Sequence, residues 1–447
     1  MYVVVGLGKT GVSCVRWLRA RGESVRAIDT RDAPPGLAAV QAEFPDLEIH
    51  TGGLRRDWLD FAQAIVASPG VAVAEPEIAA AAAKGVPVIG DIELFARVVK
   101  APVVGITGAN GKSTVTALVG EMGVAAGLEV AVGGNYGTPA LDLLADDVAL
   151  YVLELSSFQL ETTYSLPLAG GTILNLTEDH MDRYGSFAEY GMAKQRIYAH
   201  CAVAVVNRDD PWSAPRGEFS GSTISFGAGA SAQGFGIAAH DGARWITRDG
   251  QLLVCCDDLR IKGTHNQLNA MAALGLGLAA GLPMDAMLRA LKAFRGLPHR
   301  CRFVAEQGGV AWYNDSKGTN IGATAAALAG LGENIRGKVV LIAGGIGKDQ
   351  DFRLLDPHVR AHVRNVVLIG QDAPLIRAAL GEQAKLVDAQ SMEEAVRLCA
   401  QLAQPGDAVL LSPACASFDM YTGYDQRGNH FEQLVLARAP AAQGEGA

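Results

Sequence analysis

Short apolar runs alternate with stretches of helical period over almost the whole chain. Runs of strand-forming residues at 2–5, 25–28, 64–67 and 86–89 are separated by helix-like segments at 11–21 and 75–84. The pattern resumes with a helical 91–99, an apolar strand opening at Val103, and further strands at 148–153 and 172–174. These last runs are apolar at successive positions rather than alternating, as in strands covered on both faces. From 223 to 254 the period shortens to two, with Gly and Asp turns, which predicts a small antiparallel subsheet. Helices follow at 263–281 and 283–294, then a hairpin-like 303–313, then strands at 339–343, 366–369 and 407–411 between helical segments.

Such alternation predicts an α/β chain of doubly wound sheets in three domains. The first is Rossmann-like, over about 1–90. The central one, about 91–296, combines a parallel sheet with the antiparallel subsheet. The third, 297–447, is again Rossmann-like. In sheets of this kind ligands bind beyond the carboxyl ends of the strands, so the residues that close each strand are where chemistry is sought.

Composition narrows the classes. With 447 residues, 49% hydrophobic and 19% charged, the chain has ample core for several domains. A net charge of −9 argues against a nucleic-acid partner, which needs a basic face, but leaves small anionic substrates open. The longest uncharged apolar stretch, near 270–284, is Gly-broken and too short to span a bilayer, and the start lacks a basic signal-type region. The chain therefore reads as cytoplasmic, without membrane insertion. Its seven cysteines lack metal-type spacing and read as reduced thiols.

The most informative segment is Val103-Val104-Gly105-Ile106-Thr107-Gly108-Ala109-Asn110-Gly111-Lys112-Ser113-Thr114. It is an apolar strand, a Gly-rich turn and the start of a helix. Backbone N–H groups and the helix terminus attract phosphate oxygens, Lys112 neutralises charge, and Ser113 can ligate Mg²⁺. It departs from G-x-x-x-x-G-K-[ST] by one place, since position 106 is Ile, so it is a P-loop variant.

A second phosphate signal, Gly6-Leu7-Gly8-Lys9-Thr10-Gly11, follows the first strand, and Asp29 closes the next at the distance of a ribose contact. By itself the pattern fits NAD, FAD, another diphosphate or a structural turn. Thr30, Arg31 and the turn Ser68-Pro69-Gly70 lie at the same sheet edge. Two phosphate sites on separate domains suggest ATP and a nucleotide-linked substrate. An NAD-linked oxidoreductase would leave the P-loop unexplained, and dependence of ATP hydrolysis on an amino acid would separate a ligase from a P-loop switch or binding ATPase.

Other strand ends are polar. Glu154 closes one beside the P-loop strand, where Mg²⁺ is held in phosphoryl-transfer sites. The segment 175–182, which includes His180, closes another and can also be read as a polar loop. Lys194 has no signal of its own and reads as a solvated helical lysine. Asn266 could cap its helix or bind a base; the pattern favours the cap. Loops 314–320, 344–348 and 412–419 outline the mouth of the third domain, and its facing a P-loop domain suggests closure over ATP.

Assembled, these motifs resemble the Mur ligase family over essentially the whole chain. The resemblance rests on 108–114, 153–161, 177–184, 265–269, Leu297-Pro298-His299-Arg300, 314–320 and 412–419. It implies an ATP-dependent ligase that joins D-glutamate to UDP-N-acetylmuramoyl-L-alanine through an acyl phosphate. That step belongs to peptidoglycan synthesis, hence to cell-wall biogenesis, cell shape and cell division. Lys9, Thr10, Asp29, Thr30, Arg31 and Gly70 would hold the UDP part, and Asn135 the sugar-linked part. Gly108, Asn110, Gly111, Lys112, Ser113, Thr114, Asn266, Arg300 and Asp315 would bind ATP. Ser113 and Glu154 would hold one Mg²⁺, and His180 and Lys194 a second, with Lys194 carrying a CO₂-derived carbamate. Lys112, Glu154, His180 and Lys194 would thus be catalytic. Lys317, Thr319, Lys348, Ser417 and Phe418 would surround D-glutamate. The partners implied are small molecules, acted on by a monomer. Ala109, Tyr136, Tyr424 and Lys9 depart from the family's usual residues, but none removes a charge or a ligand.

Overall fold

The computed structural model describes residues 1–438 except 180, 182, 334, 348, 349, 382 and 383. His180 and Lys348 therefore lie outside the described residues. The chain forms two compact units, residues 1–258 with 268–293, and residues 259–267 with 294 onward.

The first unit begins with strands β1 (Tyr2–Val5), β2 (Val25–Asp29), β3 (Glu48–Thr51), β4 (Ala64–Ala67) and β5 (Val88–Ile89). They form a parallel sheet in the order β3-β2-β1-β4-β5. The chain leaves β1 to one side and later crosses to β4 on the other. The Gly-rich turn after β1 and the Ser68 turn after β4 thus share the crevice at that switch point.

A second parallel sheet comprises β6 (Val103–Thr107), β7 (Val130–Gly134), β8 (Leu150–Glu154), β9 (Gly170–Ile173), β10 (Val203–Asn207) and β11 (Ser222–Phe226). Its order is β11-β10-β9-β6-β8-β7. All residues of β6 and β8 are buried, which is why both read as continuous apolar runs. The sheet reverses around β6, whose end carries the P-loop, with β8 and β9 on either side.

The alternating stretch from 223 to 254 divides. β12 (Phe235–His240), β13 (Ala243–Arg248) and β14 (Gln251–Cys255) form the expected antiparallel subsheet. β11 instead pairs in parallel with β10 and extends the main sheet. Its sequence alternates polar and apolar residues as a hairpin strand does, so period alone could not tell them apart.

The second unit has a mixed sheet of β15 (Arg302–Gln307), β16 (Val310–Asn314), β17 (Val339–Gly344), β18 (Val363–Ile369), β19 (Leu386–Asp388) and β20 (Ala408–Leu411). Its order is β15-β16-β20-β17-β18-β19, with only the edge strand β15 antiparallel. β20 lies between β16 and β17, which sets the three polar loops side by side. The seven cysteines are free thiols.

Candidate active site

In the first sheet, Asp29 builds the glycine turn. Its carboxylate accepts from Leu7 N at 2.6 Å and from Arg31 through the backbone N–H, Nε and Nη2 at 2.7–2.9 Å. Burial raises its pKa, but the Arg31 guanidinium and the two N–H donors outweigh this and bring it to about 2. Ser68 Oγ donates to Gly6 O at 2.8 Å and ties the turn after β4 to the turn after β1. Gly6 has φ +95°, and a Cβ there would meet Ser68 Cβ at 2.9 Å. Lys9, Thr30, Arg31 and Gly70 are exposed at this edge and Thr10 is half-buried.

The P-loop is shaped from both sides. The loop after β9 pins it, with Ala109 N donating to Asn175 O at 2.9 Å and Asn110 N to Asn175 Oδ1 at 2.9 Å. Asn175 Nδ2 donates back to Asn110 O at 3.1 Å. Gly111 caps the helix Lys112–Ala125 at φ 85°, and a Cβ there would meet Asn269 Oδ1 at 2.5 Å. Lys112 Nζ donates to the carbonyls of Gly108 and Ala109 at 2.9 and 2.8 Å, which holds the ammonium over the mouth of the turn. Thr114 is buried in the first turn of that helix.

Beside it, Ser113 Oγ donates to Glu154 Oε2 at 2.5 Å and Asn135 Nδ2 to Glu154 Oε1 at 2.7 Å. Glu154 ends β8, and Ser156 two residues on opens the helix Ser157–Glu161 with a reciprocal cap to Gln159. That cap fixes how the chain leaves the carboxylate. Gln159 Nε2 also donates to Asp91 Oδ2 at 3.1 Å, anchoring the helix in the core.

Lys194 is not a solvated helical lysine. Only 2% exposed, its Nζ donates to Thr107 Oγ1, the last residue of β6, at 3.2 Å. Burial and the charge of Lys112 hold its amine well below the ordinary lysine range, against the opposing pull of Asp179 and Glu154. Lys112, Ser113, Glu154, Asn135 and Lys194 thus converge at the ends of β6 and β8.

In the second unit the loops after β16, β17 and β20 are laced together. Ala414 N donates to Gly318 O at 2.8 Å, and Ile346 and Ala416 exchange backbone bonds at 2.9 Å. Gln350 accepts from Ile321 N at 2.9 Å and donates to Ala414 O at 3.1 Å. Asp315 is buried and accepts from Ser412 Oγ at 2.7 Å and Cys301 N at 3.0 Å. Burial pushes its carboxyl up to about 7 despite those donors and the charges of Arg300 and Arg427. Lys317 lies 3.9 Å from the Tyr424 ring centroid, Thr319 is half-buried, Ser417 is buried and Phe418 is 68% exposed. Asn266 Nδ2 donates to Lys262 O at 2.9 Å, as a residue of a helix start.

One structural residue was read only as part of a polar segment, and another escaped altogether. Asn175 carried a weak signal, a polar side chain directly after a strand end. Arg427 carried none, because it lies in a polar helix, Tyr424–Ala437. It is buried, with its guanidinium donating to Ser316 O at 2.8 Å and Cys415 O at 3.2 Å, and so joins the loops after β16 and β20.

Comparisons with known proteins agree with this layout. Residues 1–90 match the model of the Mur ligase MurD-like N-terminal domain, 106–277 the Mur ligase middle domain, and 299–415 the Mur ligase glutamate ligase domain. The chain is 52% identical over 434 residues, 97% of each chain, to the UDP-N-acetylmuramoylalanine–D-glutamate ligase of Pseudomonas fluorescens. It is 50% identical over 430 residues, 96% of each, to the enzyme of that name from Alcanivorax borkumensis. Among solved structures, the UDP-N-acetylmuramate-alanine ligase of Thermotoga maritima shares the fold, with TM-score 0.60 and 19% identity over 98% of this chain and 99% of that one. Three domain models in order, together with relatives at half identity or more over 96–97% of the chain, leave one assignment: the chain belongs to the Mur ligase family.

Proposed function

We infer that this protein joins D-glutamate to UDP-N-acetylmuramoyl-L-alanine with hydrolysis of ATP to ADP and phosphate, a step of peptidoglycan synthesis. The relatives that carry this name support the substrates. The observation that carries the chemistry is the P-loop helix whose first hydroxyl, Ser113 Oγ, lies 2.5 Å from the strand-end carboxylate of Glu154. We assign the UDP part to domain 1–90, ATP to 91–296 and the amino acid to 297–447. We further propose that it works as a monomer. No helix among the described residues is long and apolar enough to cross a membrane, in keeping with work in the cytoplasm.

The donors suit magnesium. Ser113 and Glu154 offer hard oxygens, and among the described residues no three His, Cys, Asp or Glu side chains form a closed cage. Magnesium takes one or two such ligands and completes its shell with water and phosphate oxygens. We assign one ion to Ser113 and Glu154, and a second to His180 and Lys194 once Lys194 carries a carbamate. When bound, the ions screen the phosphate charge from the attacking carboxylate. Burial favours the uncharged form of the amine, the nucleophilic form that adds CO₂, and the carbamate would convert Lys194 from a donor to an oxygen ligand.

The substrate carboxylate attacks the γ-phosphorus, ADP departs and an acyl phosphate forms. Lys112 and the backbone N–H groups of 111–114 hold the phosphates while Asn135 orients the substrate beside Glu154. The amine of D-glutamate then attacks the acyl carbonyl, phosphate leaves and an amide remains. Lys317, Thr319, Lys348, Ser417 and Phe418 would hold the amino acid, with Lys317 offering its cation to a carboxylate. Asn266, Arg300 and Asp315 would line the nucleotide. Lys9, Thr10, Asp29, Thr30, Arg31 and Gly70 would hold the UDP part.

The test is phosphate release from ATP and Mg²⁺ with UDP-N-acetylmuramoyl-L-alanine and, in turn, D-glutamate, L-glutamate, glycine, L-lysine or no amino acid. Release only with D-glutamate, with a product heavier by that residue, is expected. Release with another amino acid would overturn the specificity, and none in any mixture would overturn the ligase reading.

A further inference from the structure

Arg183 belongs to none of the groups assigned above. It follows the acidic segment after β9, and its guanidinium lies 4.1 Å from the ring centroid of Phe158, on the helix that leaves Glu154. Phe158 stacks on Tyr184 at 6.0 Å and 17°. Tyr184 meets Tyr190 at 5.4 Å, and Lys194 Nζ lies 4.9 Å from the Tyr190 ring centroid. A row of three rings therefore runs from the Lys194 amine to the Arg183 guanidinium.

The outer end reaches the first sheet's crevice. Arg183 Nη2 donates to Val71 O at 3.4 Å. Val71 closes the Ser68 turn and packs on the glycine turn, since a Cβ on Gly6 would meet Val71 Cγ2 at 3.0 Å. A guanidinium has five N–H donors, and among the described residues this long bond is the one Arg183 makes. It is half-buried and fixed by stacking, so its fork is oriented before any ligand arrives.

We propose that Arg183 is a binding residue for an anionic group of the UDP-linked substrate, held in register by Phe158. This rests on the function proposed above. The chemistry required is a paired set of anionic oxygens, which that substrate offers twice, as the diphosphate and as the terminal carboxylate.

Calorimetric binding of UDP, UDP-N-acetylmuramoyl-L-alanine and a non-hydrolysable ATP analogue would test it on wild type, Arg183→Ala, Arg183→Lys and Phe158→Leu. Arg183→Ala is expected to weaken the UDP-linked substrate about tenfold or more and leave the ATP analogue unchanged. Arg183→Lys and Phe158→Leu should fall between, one keeping the charge without the fork and the other the fork without its support. Weakened UDP binding would identify the diphosphate as the anion, and unchanged UDP binding the carboxylate. Unaltered substrate affinity in Arg183→Ala overturns the proposal. So does a parallel loss for all three ligands with a lowered melting temperature, the mark of a fold contact. Wild-type protein that fails to bind the UDP-linked substrate at all overturns the functional reading and, with it, this one.

Discussion

Lys194 and Asp315 show how much burial changes what a side chain is. A lysine 2% exposed beside Lys112 cannot keep its proton as a surface lysine does, and a buried carboxyl at about 7 is half-protonated near neutrality. The sign for Asp315 follows from its unfolded value of about 3.9. The folded chain holds the proton more tightly. The stability this gives is complete below about pH 4 and is lost as pH rises through 7, a change of about 4 kcal/mol. The melting temperature of Asp315→Asn should therefore fall less than that of wild type between pH 5 and 8; parallel curves would refute this. Glu154→Gln keeps the shape but removes the charge facing Ser113. Phosphate release should fall by about a hundredfold or more in initial-rate assays at saturating Mg²⁺.

At the scale of elements, the P-loop is set by its neighbours as well as by its own glycines. Asn175→Ala would remove both side-chain bonds to Asn110 while leaving the backbone bond to Ala109. KM for ATP should rise several-fold, with a stability cost of about 1–2 kcal/mol. Gly111→Ala is a harsher change, because φ 85° disfavours a side chain and the new Cβ would strike Asn269. ATP binding weakened by less than about tenfold would count against this account of the turn. The cap at Ser156 acts one step further out. Ser156→Ala should cost about 1 kcal/mol in denaturant melts and disturb the exit from Glu154. The motif 153–161 is thus one device: a strand that delivers a carboxylate and a capped helix that holds it there.

For the molecule as a whole, ligand linkage gives the simplest check. ATP with Mg²⁺ at about 100 times its Kd should stabilise the folded protein by about 2.7 kcal/mol, read as a raised melting temperature. Lys112→Ala should abolish the shift. Much of this architecture was open to reading in the chain alone. Continuous apolar strands alternating with helical period announce parallel sheets, and Gly-rich turns after strands announce phosphate sites, because both depend on local geometry and on which residues tolerate it. Strand ends also put Glu154, Asp315 and the 412–419 loop on the ligand side of their sheets. Period could not place β11, which alternates like a hairpin strand yet pairs in parallel with β10. Nor could it separate Lys194 from a surface lysine, or find Arg427 beneath the loops after β16 and β20. Those outcomes depend on which elements pack over a residue and exclude water from it. The sequence by itself determined the α/β alternation, most of the strands and the Gly-rich turns after β1 and β6, while β3, β7, β10 and β19 went unread. Only the tertiary structure decided which charges are buried together, because burial and long-range contact are properties of the packed chain and not of any stretch of it.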